Sequence, residues 1–239
     1  MTEARFIGIG VGPGDPELMT LKAVRLIQQA DAIAYIANAH GESQAKQIAS
    51  HVINSSNKQQ QEIPVIMPMC DNRNLANQVY DQAADHIQMV INQNKIVVFL
   101  CEGDPLFFGS FAYLLERLEA QNICEVVPGI SSVHAASSAL KIPLTMLKES
   151  LSVVSGRHSD QQLIATFNTY DSVVVMKVGC HRQKIIRALR ASGRLEHAHY
   201  LEHIGRGNER LVNNMDDVDD ETGPYFSLFM VTRPAKQRQ

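Results

Sequence analysis

Apolar residues arrive along this chain in short blocks of two kinds, and their alternation predicts most of the elements. "RFIGIG", "DAIAYIA", "EIPVIMP", "KIVVFL" and "CEVVPG" are brief runs with many β-branched or aromatic positions, the composition of strands. Between them, "TLKAVRLIQQ", "ESQAKQIASHVI", "LANQVYDQAADHIQMVINQ" and "SFAYLLERLEA" space their apolar residues at helical intervals. Strands joined by crossover helices predict a parallel sheet. "KIVVFL" is apolar throughout, as a strand covered on both faces must be. In such a sheet ligands bind beyond the carboxyl ends of the strands.

Near "LKIPLTMLKE" the pattern changes. Downstream come "LSVVSG", a helix around residues 161–167, "SVVVMKVG", a helix around residues 183–191, then "HAHYLEH" and "YFSLFMV". These predict a second α/β domain of mixed strand direction. The boundary is expected within residues 142–150, dividing the chain into domains 1–145 and 146–239. No internal repeat is visible, and "DDVDDE", residues 216–221, reads as a solvated acidic loop.

The carboxyl edge of the first sheet is where unusual residues collect. Gly8, Gly10, Gly12 and Gly14 crowd the end of the first strand in "GIGVGPGDPEL". Glycine loses more conformational freedom on folding than any other residue, so the cluster points to a ligand or a close backbone approach. A dinucleotide turn requires G-x-G-x-x-G, but from Gly8 the third glycine position holds Pro13 and from Gly10 it holds Asp15. The acid at a suitable distance, Asp31, precedes the second strand where a ribose-binding acid should follow it. No G-K-[ST] follows either, so a phosphate-binding loop is also out of register.

Two more loops reach the same edge: "CEGDP" after "KIVVFL", and "PGISS" after "CEVV". Asp104 has two readings there, a ligand group and a cap for the helix that follows. Ser131 and Ser132 enter the next helix, whose free N–H groups and hydroxyls can receive a carboxylate or serve ordinary capping.

Composition narrows the classes. With 239 residues, 45% apolar and 20% charged, the chain reads as globular; the net charge of −3 argues against nucleic-acid or membrane-surface partners. No apolar run reaches the roughly 18 residues of a membrane helix, and the N-terminus lacks a signal-peptide pattern. The four cysteines, Cys70, Cys101, Cys124 and Cys180, form no C-x-x-C pair, which fits reduced thiols in a cytoplasmic protein. "HAHYLEH" raises a metal, with His197 and His199 on one strand face and His203 beyond, but no carboxylate or cysteine pattern completes a site, so none is expected.

The three loops, in this order and spacing, carry a family likeness. Through "GIGVGPGDPELMTLKA", "CEGDPLFFGS" and "VVPGISSVHAASSALKIPLT" the chain resembles the tetrapyrrole methylases, S-adenosylmethionine-dependent enzymes of corrin and sirohaem synthesis. The likeness runs from near Phe6 to "MVTRP". "CEGDPLFFGSF" and "PMCDNR" are most similar to members that methylate C20 of precorrin-2. Uroporphyrinogen methylases read closer to G-G-D-P-F-x-F-G-R, from which Glu102, Leu106 and Ser110 depart.

The resemblance implies two α/β domains, the first with a mostly parallel sheet and the second with a mixed one, an active site in the cleft between them, and a homodimer. It implies S-adenosylmethionine as methyl donor, S-adenosylhomocysteine as product and a tetrapyrrole substrate. Carried over position by position, Pro13 borders the donor, Glu102, Gly103, Asp104 and Phe107 hold its methionine part, and Ser131 and Ser132 continue that wall. Met176 and Ile204 match positions that contact the adenosine part. The opening glycines would then let donor and macrocycle approach a thin backbone wall.

Methylation of precorrin-2 to precorrin-3A is the activity so implied. Cobalt-factor II of the anaerobic route and uroporphyrinogen III are the alternative acceptors, and any cobalt would belong to the macrocycle. A substrate bearing many carboxylates calls for cations, and Arg157, Lys177, Arg182 and Arg206 near strand ends of the second half are the candidates, against a reading as solvated charges. The proton lost from C20 has no assigned acceptor: His134, Tyr113 and Glu102 are considered, alongside water and the substrate itself. A nicotinamide oxidoreductase and a non-catalytic tetrapyrrole carrier are the competing classes.

Overall fold

A computed structural model describes residues 3–68, 73–219 and 221–233. The chain divides into two compact units, Met1–Ser131 and Ser132–Gln239. The division falls one helix before the expected boundary after residue 145, because the helix entered at Ser132 groups with the second unit.

The first unit alternates strand and helix: β1 (Arg5–Gly10), α1 (Leu21–Gln29), β2 (Ala32–Ala37), α2 (Gln44–Asn54), β3 (Gln61–Ile66), α3 (Arg73–Ile91), β4 (Ile96–Cys101), α4 (Phe111–Leu118) and β5 (Cys124–Val127). Its sheet has the order β3-β2-β4-β1-β5, and every pairing is parallel. Every residue of β4 is buried. Period-two alternation sends Ile96, Val98 and Leu100 into a core with α1 and α2, and Val97, Phe99 and Cys101 into a second core with α3 and α4. Helix starts follow local chemistry: Thr20 Oγ accepts from the Ala23 N–H at α1, and Ser43 Oγ from the Lys46 N–H at α2.

The second unit comprises α5 (Ser132–Leu140), β6 (Leu151–Ser155), α6 (Asp160–Thr169), β7 (Ser172–Met176), α7 (Arg182–Ala191), β8 (Ala198–Glu202), β9 (Arg210–Val212) and β10 (Ser227–Val231). The sheet order is β6-β7-β10-β8-β9, parallel between β6 and β7 and antiparallel elsewhere, which is the expected mixed sheet. A capping box of Ser159 and Gln162 starts α6. Leu163 and Phe167 of α6 and Ile185 and Leu189 of α7 pack with Val173, Val175, Tyr200 and Phe229 into one core.

Two details depart from the sequence pattern. Strand β9 is three residues long, too short to leave a periodic signature. Strand β8 begins at Ala198, so His197 lies in the turn before it and does not share a strand face with His199. Among the described residues, no helix is long and apolar enough to cross a membrane.

Candidate functional site

The carboxyl ends of β1, β4 and β5 lie side by side, and the three loops leaving them touch through glycine backbone. A Cβ on Gly10 would stand 2.5 Å from the Gly103 carbonyl oxygen and 2.6 Å from Gly129 Cα, and one on Gly129 would overlap that same carbonyl. The Gly103 N–H donates to the Gly12 carbonyl at 2.8 Å, and the Val11 N–H to the Cys101 carbonyl at 2.9 Å. Gly103 has φ of +66° and Gly12 of +83°, backbone that side chains rarely adopt. At Gly10 and Gly129 the missing side chains let loop pack on loop.

Asp104 fastens the same junction. One carboxylate oxygen accepts from the Leu106 N–H at 2.9 Å and the other from the Gly129 N–H at 3.1 Å, so it binds the second loop to the third. Glu102 reaches the opposite way and accepts from the Ala45 N–H, 3.1 Å away in the first turn of α2. The carboxylates flanking Gly103 thus hold three segments in register and leave fixed negative charge at the edge. Behind them, burial pushes the Cys101 thiol up in pKa, so it stays protonated at neutral pH.

Beyond Asp104 the loop turns apolar. Phe107 is half-buried and meets Phe108 edge to face, with ring centroids 5.2 Å apart. Phe108 holds φ of 57° and, with Leu106, is exposed. Pro13 and Ser131 are buried, and the Ser131 backbone is in van der Waals range of where a Gly103 Cβ would stand. The first unit therefore brings Pro13, Glu102, Gly103, Asp104, Phe107 and Ser131 to one edge, and Ser132 follows as the first residue of α5. His134 is exposed on α5, two residues on.

Within the second unit, Arg157, Met176, Lys177, Ile204 and Arg206 follow or end β6, β7 and β8, whose carboxyl ends share one edge of that sheet. The Gly156 N–H donates to the Met176 carbonyl at 2.7 Å, and Lys177 is in the left-handed region with φ of 57°. Ile204 is buried, Arg157 is exposed, and the Arg206 guanidinium lies 3.8 Å from the centre of the Phe226 ring.

Arg182 is different, and its expected role is corrected. It is 2% exposed, its guanidinium pairs with Asp219 and with Glu202 at 3.6 Å, and it donates to the Glu221 carbonyl at 2.5 Å. It pins Asp219 and Glu221 of the acidic segment to α7 and β8, where free solvation is expected. Its guanidinium is engaged by the fold's own acids, and the one nitrogen without a partner, Nε, is buried away from any substrate carboxylate.

Of the histidines, His199 Nδ1 lies 2.9 Å from Asn213 Oδ1, and His203 sits at φ 51° after β8. Among the described residues, no group of three or more His, Cys, Asp or Glu is arranged to hold a metal ion.

One cluster at the edge of the first sheet escapes the sequence reading. The Arg73 guanidinium lies 4.3 Å from the Tyr113 ring centre, and Tyr113 packs on Tyr80 with centroids 4.9 Å apart. Arg117 approaches the Tyr80 ring at 5.8 Å and pairs with Asp81 at 2.7 Å. The available signal is the last residue of "PMCDNR", an arginine soon after a strand reaches the ligand edge; Met69, Cys70, Asp71 and Asn72 lie outside the described residues.

Several known proteins are similar to this chain. A precorrin-2 C(20)-methyltransferase of a Sinorhizobium species is 35% identical over 235 residues, covering 95% of this chain and 94% of that protein. A cobalt-precorrin-2 C(20)-methyltransferase of Salmonella typhimurium is 26% identical, covering 96% of each. Among solved structures, a uroporphyrin-III C-methyl transferase from Thermus thermophilus, complexed with S-adenyl homocysteine, superposes with a TM-score of 0.67 at 24% identity, covering 96% of this chain and 97% of that one. Glycine-packed loops on a parallel sheet, a mixed second sheet and relatives matched nearly end to end agree with a family model that spans residues 5–219: the chain belongs to the tetrapyrrole (corrin/porphyrin) methylases.

Proposed function

We propose that this chain transfers a methyl group from S-adenosylmethionine to C20 of precorrin-2, giving precorrin-3A and S-adenosylhomocysteine. The observation that carries the reading is the 35% identity to a precorrin-2 C(20)-methyltransferase along 95% of the chain. The Salmonella relative, a cobalt-precorrin-2 C(20)-methyltransferase at 26%, supports a cobalt-containing acceptor as the alternative, with cobalt-factor II as the form proposed.

The edge of the first sheet suits both reactants. The donor supplies an activated methyl on a sulfonium, a leaving group that needs no nucleophilic side chain. The chain's residues have to orient it, and alignment alone supplies a large share of the acceleration. Glu102 and Asp104, fixed by the Ala45, Leu106 and Gly129 N–H groups, put negative charge near the donor and favour its cationic form over the neutral product. Exposed Leu106 and Phe108 offer an apolar surface to the macrocycle. Pro13, Gly103, Phe107, Ser131, Ser132, Met176 and Ile204 are the remaining donor contacts in this reading, on the family resemblance. Arg157, Lys177 and Arg206 are its cations for the substrate carboxylates.

A homodimer in the cytoplasm completes the proposal; light scattering that finds a monomer across micromolar concentrations overturns the dimer. The decisive experiment is anaerobic incubation with methyl-labelled donor and either precorrin-2 or cobalt-factor II, followed by NMR. Label at C20 with one of them is expected. Label elsewhere, or none with either, overturns the C20 assignment.

A further inference from the structure

We propose that Arg73 binds a peripheral carboxylate of the tetrapyrrole, with Tyr113 as the platform that orients it. The inference rests on the reading of the substrate given above.

Arg73 opens α3, the helix that follows the carboxyl end of β3, and so stands at the ligand edge of the first sheet. Its side chain is exposed, yet it is not loose. The guanidinium lies 4.3 Å from the Tyr113 ring centre, and Tyr113 is backed by Tyr80, a buried ring 4.9 Å away. A guanidinium held over a ring by its central carbon still has N–H groups for a partner, and their fork matches a carboxylate.

Among the described residues, the fold supplies no acid as that partner. Arg5 and Arg117 of the same unit pair with Glu125 and Asp81 at 2.6 and 2.7 Å, but among the described residues no acid pairs with Arg73. Pre-ordering a long side chain costs rotamer entropy, which a binding role repays by cutting what remains to be lost when the ligand arrives. Exposed Leu106 and Phe108 lie on the same edge, so one surface offers apolar contact and a forked cation. A flat macrocycle rimmed with carboxylates requires both.

The test compares Arg73→Ala, Arg73→Lys, Tyr113→Phe and Tyr113→Leu. For Arg73→Ala, the KM for precorrin-2 is expected to rise about tenfold or more, as for a lost bidentate pair, with kcat within about twofold. Affinity for S-adenosylhomocysteine, by calorimetry, should not change. Arg73→Lys should recover part of the loss; Tyr113→Phe, which keeps the ring, should leave the precorrin-2 KM where it is, and Tyr113→Leu should shift that KM in the same direction as Arg73→Ala. An unchanged precorrin-2 KM in Arg73→Ala, or an equal loss of S-adenosylhomocysteine affinity, overturns the proposal.

Absorbance titration with an oxidised octacarboxylic porphyrin and its methyl ester separates this inference from the activity on which it rests. Weaker porphyrin binding by Arg73→Ala, absent with the ester, sustains the Arg73 site even if C20 methylation fails. Equal binding by wild type and variant refutes the site even if C20 methylation succeeds.

Discussion

Arg73 and Arg182 each lie over a tyrosine ring, and their surroundings give them opposite roles. Arg182, 5.5 Å from the Tyr200 ring centre, is buried between Glu202 and Asp219. Arg73, 4.3 Å from the Tyr113 ring centre, is exposed and, among the described residues, has no acid beside it. An aromatic face orders a guanidinium in both places. The carboxylates decide what that order serves: a cation already neutralised by the fold holds the fold together, and one left unneutralised is available to a ligand. The comparison also bears on the sequence reading, which selects Arg182 as a substrate cation and passes over Arg73.

The largest expected effect lies on the buried side. Arg182→Met leaves Glu202, itself 8% exposed, with the half-exposed Arg210 at 3.6 Å as its remaining cation, and should cost about 2–3 kcal/mol in urea unfolding at neutral pH. Most of that should come from Glu202, because Asp219 is more than half exposed and contributes as a surface ion does. The double variant Arg182→Met, Glu202→Leu should recover a good part of the loss, since a matched apolar pair replaces a matched ionic one. A cost below about 1 kcal/mol for Arg182→Met alone would reduce it to a surface pair and erase the contrast.

That the wrong arginine stands out in the sequence has a physical cause. Strand and helix periodicity is a local property, and it foretells β1 to β5, the long α3 and the mixed second sheet. The loops at the ligand edge are legible for a related reason, since glycine and proline punctuate strand ends in a fixed order. Pairing is not local. Arg182 meets Asp219 across 37 residues of chain, and Arg73 meets Tyr113 only because α3 packs on α4. Whether a cation is spent or free depends on such contacts, and composition near a strand end does not encode them. The glycines show the same limit: their spacing marks the site, but that Gly10 and Gly129 touch each other follows only from β1 and β5 being neighbours.

An intermediate effect is expected where backbone, with no charge involved, holds the edge. A methyl on Gly129 meets the Gly103 carbonyl, and main chain cannot rotate aside as a side chain can. Gly129→Ala should cost about 1–3 kcal/mol and weaken S-adenosylhomocysteine binding roughly tenfold or more, as measured by urea unfolding and calorimetry. Gly207→Ala, where an added Cβ meets nothing within 4 Å, is the control and should stay within about 0.5 kcal/mol of wild type. If the two variants behave alike, the three-loop junction is not tight and its glycines have some other use.

A smaller effect distinguishes paired acids by pH. The Asp171 carboxyl is held below its usual range by the Ser150 N–H and hydroxyl. Asp31 is held low too: burial pushes its pKa up, but the Ile96 N–H and the Lys58 ammonium outweigh it. A carboxyl depressed in the folded state contributes stability above its ordinary pKa, here 3.8, and loses it as pH falls through the folded value. The urea midpoint should therefore hold steady from pH 7 down to about pH 5 and decline below about pH 4. Asp171→Asn should flatten part of that decline; an unchanged profile would show that Ser150 does not hold the charge.

The smallest effect on stability is expected where the effect on binding is largest. Removing Arg73 takes away an exposed cation–aromatic contact worth about 0.5–1 kcal/mol, offset by the rotamer freedom the side chain regains. No buried acid is stranded among the described residues, so Arg73→Ala should unfold within about 0.5 kcal/mol of wild type. Measured beside Arg182→Met, it turns the contrast between the two stacks into two numbers of different size. A loss near that of Arg182→Met would mean that Arg73 is committed to the fold as well, and the Tyr113 platform would then be orienting a structural cation.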